Sequence, residues 1–401
     1  GGGGGGGWVT AVTSGAAHAL AMAEPFKTFL NPPLIHGLAA HLARRWPAFD
    51  ARAFTTRATR GLDALELKAR AMHIADALEE TLPTDFAHAA DVIEGALASR
   101  EADPDAPTAP VPDDGLAGWS LWPVSEYVVR RGLPHPERAL RTLHAITRRF
   151  TAEFAIRPFL IAHPEHTLQT LASWVHDPSA HVRRLVSEGT RPRLPWGLQL
   201  KAFIADPSPT LPFLRALQDD PSEYVRRSVA NHLNDIAKDH PALVAEWLET
   251  HLPDASAARR ALLKHASRTL IKNGDSRVLH AWGIGASFAG SATLRITPRR
   301  VRVGETVTLT LELAADATAG AQALVVDYVV HHVRADGRTS PKVFKGWTLT
   351  LAAGERRTLV KRHAFRVVTT RRYYPGRHVI AVQANGVTLA EQAVTLAPST
   401  T

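Results

Sequence analysis

Three segments carry an arginine pair with an acid or amide five residues after its first arginine. They are RRFTAE (Arg148, Arg149, Glu153), RRLVSE (Arg183, Arg184, Glu188) and RRSVAN (Arg226, Arg227, Asn231), and Asp235 follows Asn231 by four. Carboxylates recurring in this way can act as general bases or stabilise a developing positive charge. On helices, positions four apart share a face, so stacked copies would set Glu153, Glu188 and Asn231/Asp235 in one column. At ~100° per residue the arginine pairs fall about 140° away, which predicts a separate basic strip. A lone helical glutamate is ordinarily solvated. Three in register, flanked by Arg157, Arg191, Arg193 and Trp196, call for a chemical reading.

Elements must exist to hold such a column. DPSAHVRR (177–184) and DPSEYVRR (220–227) are offset by 43 residues, and Arg148-Arg149 precede Arg183-Arg184 by 35. Repeats of ~40–47 residues mark HEAT and armadillo solenoids, whose helix pairs bury their apolar faces only by stacking. Asp177 and Asp220 read as helix N-caps ahead of Pro-Ser. An Asp177–Arg226 pair between neighbouring units is the structural expectation for the VR arginine. Apolar residues recur at three and four from 32 to about 100, and helical repeats run from about 119 to 282. Residues 101–117, EADPDAPTAPVPDDGLA, read as a surface loop. Trp122 and Trp174 are divided between core and site, whereas Trp119, Trp247 and Trp282 are expected in the core.

The texture changes at 283–290. Seven short alternating runs follow, from TLRITP to VTLAEQAVTL, separated by Gly, Asp and Pro. They predict an immunoglobulin-like sandwich over 291–401, without a cysteine pair. The fold class is therefore multidomain: an all-α HEAT-like repeat solenoid (22–282) followed by an all-β immunoglobulin-like sandwich. Residues 1–21 begin with seven glycines, lack a charged leader region and are set aside, with Met22 as a plausible start.

The whole charge excess of +9 lies in the sandwich: 291–401 hold 16 Lys and Arg against 7 Asp and Glu, and the rest is balanced at 31 and 31. Such asymmetry suggests a polyanion, most often nucleic acid. No apolar run reaches 18 residues, so no membrane span is expected. With no cysteine, disulfides and thiolate metal sites are excluded. HPEH (163–166) and HH (331–332) lack partners at metal-ligand spacing. No metal or cofactor is expected.

At AEPFKTFLNPPLI (23–35), WPVSEYV (122–128), RRFTAEFAIRPFL (148–160), HVRRLVSEGTRPRLPW (181–196) and SEYVRRSVANHLNDIAKDHP (222–241), the chain resembles the DNA alkylation repair HEAT-repeat glycosylases, in particular the AlkC branch. The 101–112 stretch looks like an insertion and the leader has no counterpart. The resemblance implies catalytic acids at Glu153, Glu188 and Asp235, and a cleft tryptophan at Trp196. Trp122 and Arg157 complete the expected substrate-binding set. It implies excision of N3-methyladenine and N3-methylcytosine from double-stranded DNA as the first step of base excision repair, without base flipping. DNA contacts are expected from Arg148, Arg149, Arg183, Arg184, Arg191, Arg193, Arg226 and Arg227, and in the sandwich from Arg362, Arg366, Arg371 and Arg372. The expected setting is a cytoplasmic bacterial monomer. A non-catalytic helical scaffold is the competing reading, and a polysaccharide-binding sandwich is disfavoured for want of a secretion signal.

Overall fold

A computed structural model describes residues 27–101, 103–104, 113–284, 287–366 and 372–398. The expectations for 1–21, Met22, residues 102 and 105–112 of the loop, and Arg371 lie outside the described residues. Among the described residues sixteen helices precede eight strands, the order of helical and β regions that the sequence predicts, with one strand more than its seven runs. No described helix is long and apolar enough to cross a membrane. The chain divides into two compact units, residues 1–239 and 240–401.

In the first unit the helices are α1 (Pro32–Arg45), α2 (Ala51–Thr59), α3 (Leu67–Thr81), α4 (Phe86–Ala96), α5 (Leu121–Gly132), α6 (Pro136–Thr147), α7 (Glu153–Ala162), α8 (Pro164–Trp174), α9 (Ala180–Glu188), α10 (Lys201–Ala205), α11 (Leu211–Leu217) and α12 (Glu223–Asp239). Their starts follow local chemistry. Asn31 accepts a hydrogen bond from the Leu34 amide ahead of Pro32-Pro33, Asp50 accepts from Ala53, and Asp85 from His88. Asp177 and Asp220 are not N-caps but lie two residues before the cap position: each accepts from the amide two residues on, Ser179 and Ser222, closing a turn before the helix. Sequential helices pack as pairs, and like helices stack, α3 on α5, α5 on α7 and α9 on α12. Val182, Leu185, Val225, Val229 and Leu233 are buried between repeats, each worth ~1.5–3 kcal/mol. Seven of the nine α9 residues are buried, so its charged members cannot rely on water.

The pair that joins repeats is not Asp177–Arg226. Arg183 reaches forward to Asp220 at 2.8 Å, Arg226 donates to the Asp220 carbonyl at 2.7 Å, and Asp177 pairs with His144 at 2.7 Å. The third copy is also not a structural copy. Arg148 ends α6 and Arg149 lies in the following turn, whereas Arg183 and Arg184 are inside a helix.

The second unit holds α13 (Pro241–His251), α14 (Ala257–Ala266), α15 (Arg268–Lys272) and α16 (Ser276–Ala281), then β1 (Gly290–Thr297), β2 (Arg300–Arg302), β3 (Thr306–Ala315), β4 (Gln322–Val333), β5 (Thr339–Leu351), β6 (Arg356–Ala364), β7 (Gly376–Ala384) and β8 (Val387–Ala397). The sheets run β1-β3-β6 and β2-β8-β7-β4-β5. Alternate residues of β3 (Val307, Leu309, Leu311, Leu313) meet Val326, Tyr328, Ile380 and Val394 of the larger sheet in one core. The short β2, which pairs in parallel with β8, is an eighth strand that the runs do not reveal. Leu279 and Ile284 pack on Val325 of β4, joining these last helices to the sandwich.

The β7–β8 hairpin turns on Asn385-Gly386, with φ of 50° and 82°, the backbone that an Asn-Gly two-residue turn favours. A Cβ on Gly386 would lie 2.3 Å from the Gly274 carbonyl oxygen. Gly337, φ 81°, turns the β4–β5 hairpin in open space. Gly337→Ala should therefore cost only the left-handed penalty of roughly 1–2 kcal/mol. Gly386→Ala should cost at least twice as much, because backbone must also move. Urea unfolding of the two variants checks this, and equal losses would refute the close approach.

Candidate active site

The three acids meet in a buried ladder. Glu153 opens α7, Glu188 closes α9 and Asp235 lies within α12. Arg184 donates from Nη1 to Glu153 Oε2 at 2.8 Å and from Nη2 to Glu188 Oε2. Arg191 donates to Glu188 Oε1 at 2.9 Å and holds Asp235 with two parallel bonds, 2.9 and 3.1 Å. The order is acid, arginine, acid, arginine, acid, and all five side chains are buried. The expected separation of acidic and basic strips is thus wrong for Arg184. In the two pairs that lie within a helix, the first arginine falls about 140° from the position five residues on, but the second is four residues from it and shares its face.

Every oxygen of Glu188 and Asp235 accepts from a guanidinium. Glu153 differs: Oε2 accepts from Arg184 and from Thr151 Oγ1 at 3.1 Å, while Oε1 has no hydrogen-bond donor. Burial drives the Glu153 carboxyl up to about 8, against the pull of Arg184 and with a further push from Glu188. Burial also works against the Glu188 charge, but Arg184 and Arg191 outweigh it and hold its carboxyl below the usual range. Burial likewise opposes the charge on both arginines and is outweighed by Glu188 beside each. Arg184 also lies over the Tyr224 ring, 5.0 Å from its centroid. Asn231, the amide of the third segment, is buried one turn before Asp235.

Beside the ladder lies an apolar cavity of about 350 Å³. Its wall includes Thr151, Ala152 and Phe154, the neighbours of Glu153, and Trp119, Trp122, Phe150, Trp196 and Leu198. Trp122 stands 5.9 Å from Phe154, and Trp119 stands 5.4 Å from Phe150, ring centre to ring centre. Trp196 is 48% exposed and holds a left-handed backbone, φ 67°. Trp122 is therefore at the site, whereas Trp174 is buried against His144. Trp247 is core, but Trp119 is not: it lines the cavity. Trp282 is half-buried under Lys264 and Arg260. Phe150 and Phe154 escape sequence reasoning. Their four-residue spacing around Glu153 is the available signal.

The arginines divide sharply. Arg184 and Arg191 belong to the ladder and are not surface groups. Arg157 is fully buried, does not line the cavity, and donates from Nε and Nη1 to backbone carbonyls at 189, 191 and 198, while its Nη2 has no hydrogen-bond partner. Arg149 donates to the Ala98 and Ala145 carbonyls, Arg183 joins the repeats as above, and Arg226 donates to the Asp220 carbonyl within its own repeat. Arg148, Arg193 and Arg227 are partly accessible, paired with Glu101, Asp239 and Glu223. In the sandwich Arg362, Arg366 and Arg372 are exposed, and Arg372 lies over the Tyr374 ring at 5.6 Å. Among the described residues, no group of three or more metal-ligating side chains is placed to hold an ion.

The chain is similar to known proteins over most of its length. Residues 150–270 match the family model described as DNA alkylation repair enzyme. Residues 290–398 match that of the C-terminal Ig-like domain of the uncharacterised protein YhaZ. The uncharacterized protein YhaZ of Bacillus subtilis (strain 168) is 36% identical over 366 residues, covering 90% of this chain and 96% of its own. The solved Pseudomonas fluorescens alkylpurine DNA glycosylase AlkC, bound to DNA containing an abasic site analog, superposes with a TM-score of 0.79 at 34% identity. That match covers 93% of this chain and 99% of the other. With ladder, repeats and sandwich all within the aligned span, the chain belongs to the AlkC branch of the DNA alkylation repair glycosylase family.

Proposed function

We propose that the protein is a DNA glycosylase that hydrolyses the N-glycosidic bond of cationic N3-alkylated bases, N3-methyladenine and N3-methylcytosine, in double-stranded DNA. The observation that carries this reading is the buried ladder with one acid oxygen left without a donor beside an aromatic cavity. A non-catalytic scaffold has no use for such an oxygen, whose burial is costly.

The chemistry is hydrolytic. The bond from C1′ to the ring nitrogen breaks with its electron pair passing to the base, which leaves neutral because it was cationic. Water bonds to C1′ and gives its proton to Glu153 Oε1. Glu188 and Asp235 stabilise the oxocarbenium-like sugar electrostatically, since their oxygens are already engaged. Trp196 and its neighbours offer ring faces to a cation, worth ~0.5–2 kcal/mol. Among the polar wall residues, Ser125 is bonded to the Trp122 carbonyl, Glu126 to Arg130 and Thr151 to Glu153. The cavity therefore favours stacking over edge-reading, in keeping with a base engaged without flipping into a specific pocket. The protein acts as a monomer in this reading.

Charge should decide the substrate. In single-turnover assays on duplexes with one lesion each, N3-methyladenine and N3-methylcytosine should be released, and uracil and 8-oxoguanine should not. Uracil release at a comparable rate above pH 8, where Glu153 is ionised, would remove the basis of the mechanism, in which Glu153 accepts a proton and gives none to the leaving base.

Glu153 must be ionised to accept a proton, so the excision rate should rise as pH passes up through about 8. Glu153→Gln, which can still face Arg184, should lose on the order of 100-fold and lack that rising limb. A wild-type rate that is flat between pH 6 and 9 would exclude Glu153 as the base.

The sandwich is proposed to grip the DNA backbone. Replacing Arg362, Arg366 and Arg372 together by Gln should leave excision at saturating enzyme near wild type. It should flatten log K against log salt by up to roughly 2.7, at ~0.9 for each phosphate no longer neutralised. An unchanged slope would show that these arginines do not meet phosphate.

A further inference from the structure

Arg157 has a position that ladder and cavity do not explain. It lies on α7 one turn after Glu153, fully buried, yet it has no carboxylate partner among its hydrogen bonds. Its guanidinium grips a loop instead. Nη1 donates to the Gly189 carbonyl at 3.1 Å and to the Arg191 carbonyl at 2.7 Å, and Nε donates to the Leu198 carbonyl at 2.6 Å. These carbonyls bracket Trp196, two before it and one after. The loop between them is TRPRLPWG, and within it Gly197 donates to the Leu194 carbonyl. Trp196 holds a left-handed backbone, which is strained for a non-glycine residue and persists only where neighbours impose it. Gly197 sits against the strut, where a Cβ would lie 3.1 Å from Arg157 Nε.

We propose that Arg157 is a positioning residue for base excision: by tying both ends of the 189–198 loop to α7, it fixes the Trp196 ring on the wall of the cavity beside the Glu153 carboxylate. Only a planar fork can serve several carbonyls from one buried point; lysine offers a charge but not the geometry. Burial lowers the Arg157 side chain to about 10, still charged at neutral pH. The same residue is thus held at one end by the helix that begins with Glu153 and at the other by the loop that carries Arg191 and Trp196.

The inference rests on the glycosylase reading, and its test separates the two. In the full-length protein, Arg157→Lys, Trp196→Ala and the double variant are compared for single-turnover release of N3-methyladenine at saturating enzyme, with hydrogen exchange of residues 189–200 and 223–239. Arg157→Lys is expected to slow release by about 10- to 100-fold and to speed exchange in 189–200 but not in 223–239. The double variant should be no slower than Trp196→Ala alone. If the two effects instead multiply, or exchange in 189–200 is unchanged, Arg157 does not act through Trp196. A wild-type rate for Trp196→Ala overturns the proposal while leaving the glycosylase reading intact. Absence of release by the wild type sinks that reading, and the exchange arm still decides whether Arg157 holds the loop. Gly197→Ala guards against misfolding of the lysine variant: it keeps the arginine, presses on the strut, and should slow release several-fold only when Trp196 is present. Equal slowing in the Trp196→Ala background would again refute the link.

Discussion

A charge taken out of water must be matched where it comes to rest, and the Glu153–Arg184–Glu188–Arg191–Asp235 ladder is that constraint applied five times in succession. Removing one partner from such a pair typically costs ~3–5 kcal/mol, because its neighbour is left buried and uncompensated. The ladder therefore dictates how closely α7, α9 and α12 approach one another. Three carboxylates against two guanidiniums leave it short of one positive charge. That deficit appears at Glu153, where one oxygen has no donor and burial has lifted the carboxyl to about 8. The middle of the array is closed by hydrogen bonds, and its Glu153 end keeps one buried oxygen without a donor.

The aromatic cavity supports that chemistry by what it lacks. Trp119, Trp122, Phe150, Phe154 and Trp196 contribute apolar surface beside the acids, which keeps the local dielectric low and makes each fixed charge count for more than it would in water.

Much of this arrangement is legible in the sequence, for identifiable reasons. The 43-residue offset fixes equivalent positions on stacked helices, and it brings Glu188 and the 231–235 segment together. Glu153 enters the column by a third alignment that fails structurally, since Arg148 and Arg149 lie at a helix end; it belongs there because Arg184 reaches across to it. The basic strip is misplaced when only the first arginine of each pair is measured against the acid. The alternating runs of β3 and β4 mark the sandwich, while three residues of β2 are too few to show a period. The cavity is invisible in the sequence because its wall comes from α3, the 119–122 turn, the start of α7 and the 189–198 loop, and no local spacing links them. Arg157 reads as a substrate contact because a sequence cannot show that its Nε and Nη1 donate to loop carbonyls.

The ladder also limits how this solenoid can vary. Repeat proteins change length readily, because each unit contacts only its neighbours and a unit can be added or lost without disturbing distant ones. Here two guanidiniums measure the distance across three helices, to within the reach of a side chain. An extra repeat between α7 and α12 would leave arginines and acids facing the wrong partners, however well the new helices packed. Growth or shortening of the array is free only N-terminal to Glu153 or C-terminal to Asp235, so the middle of an otherwise modular chain must be inherited as one indivisible block.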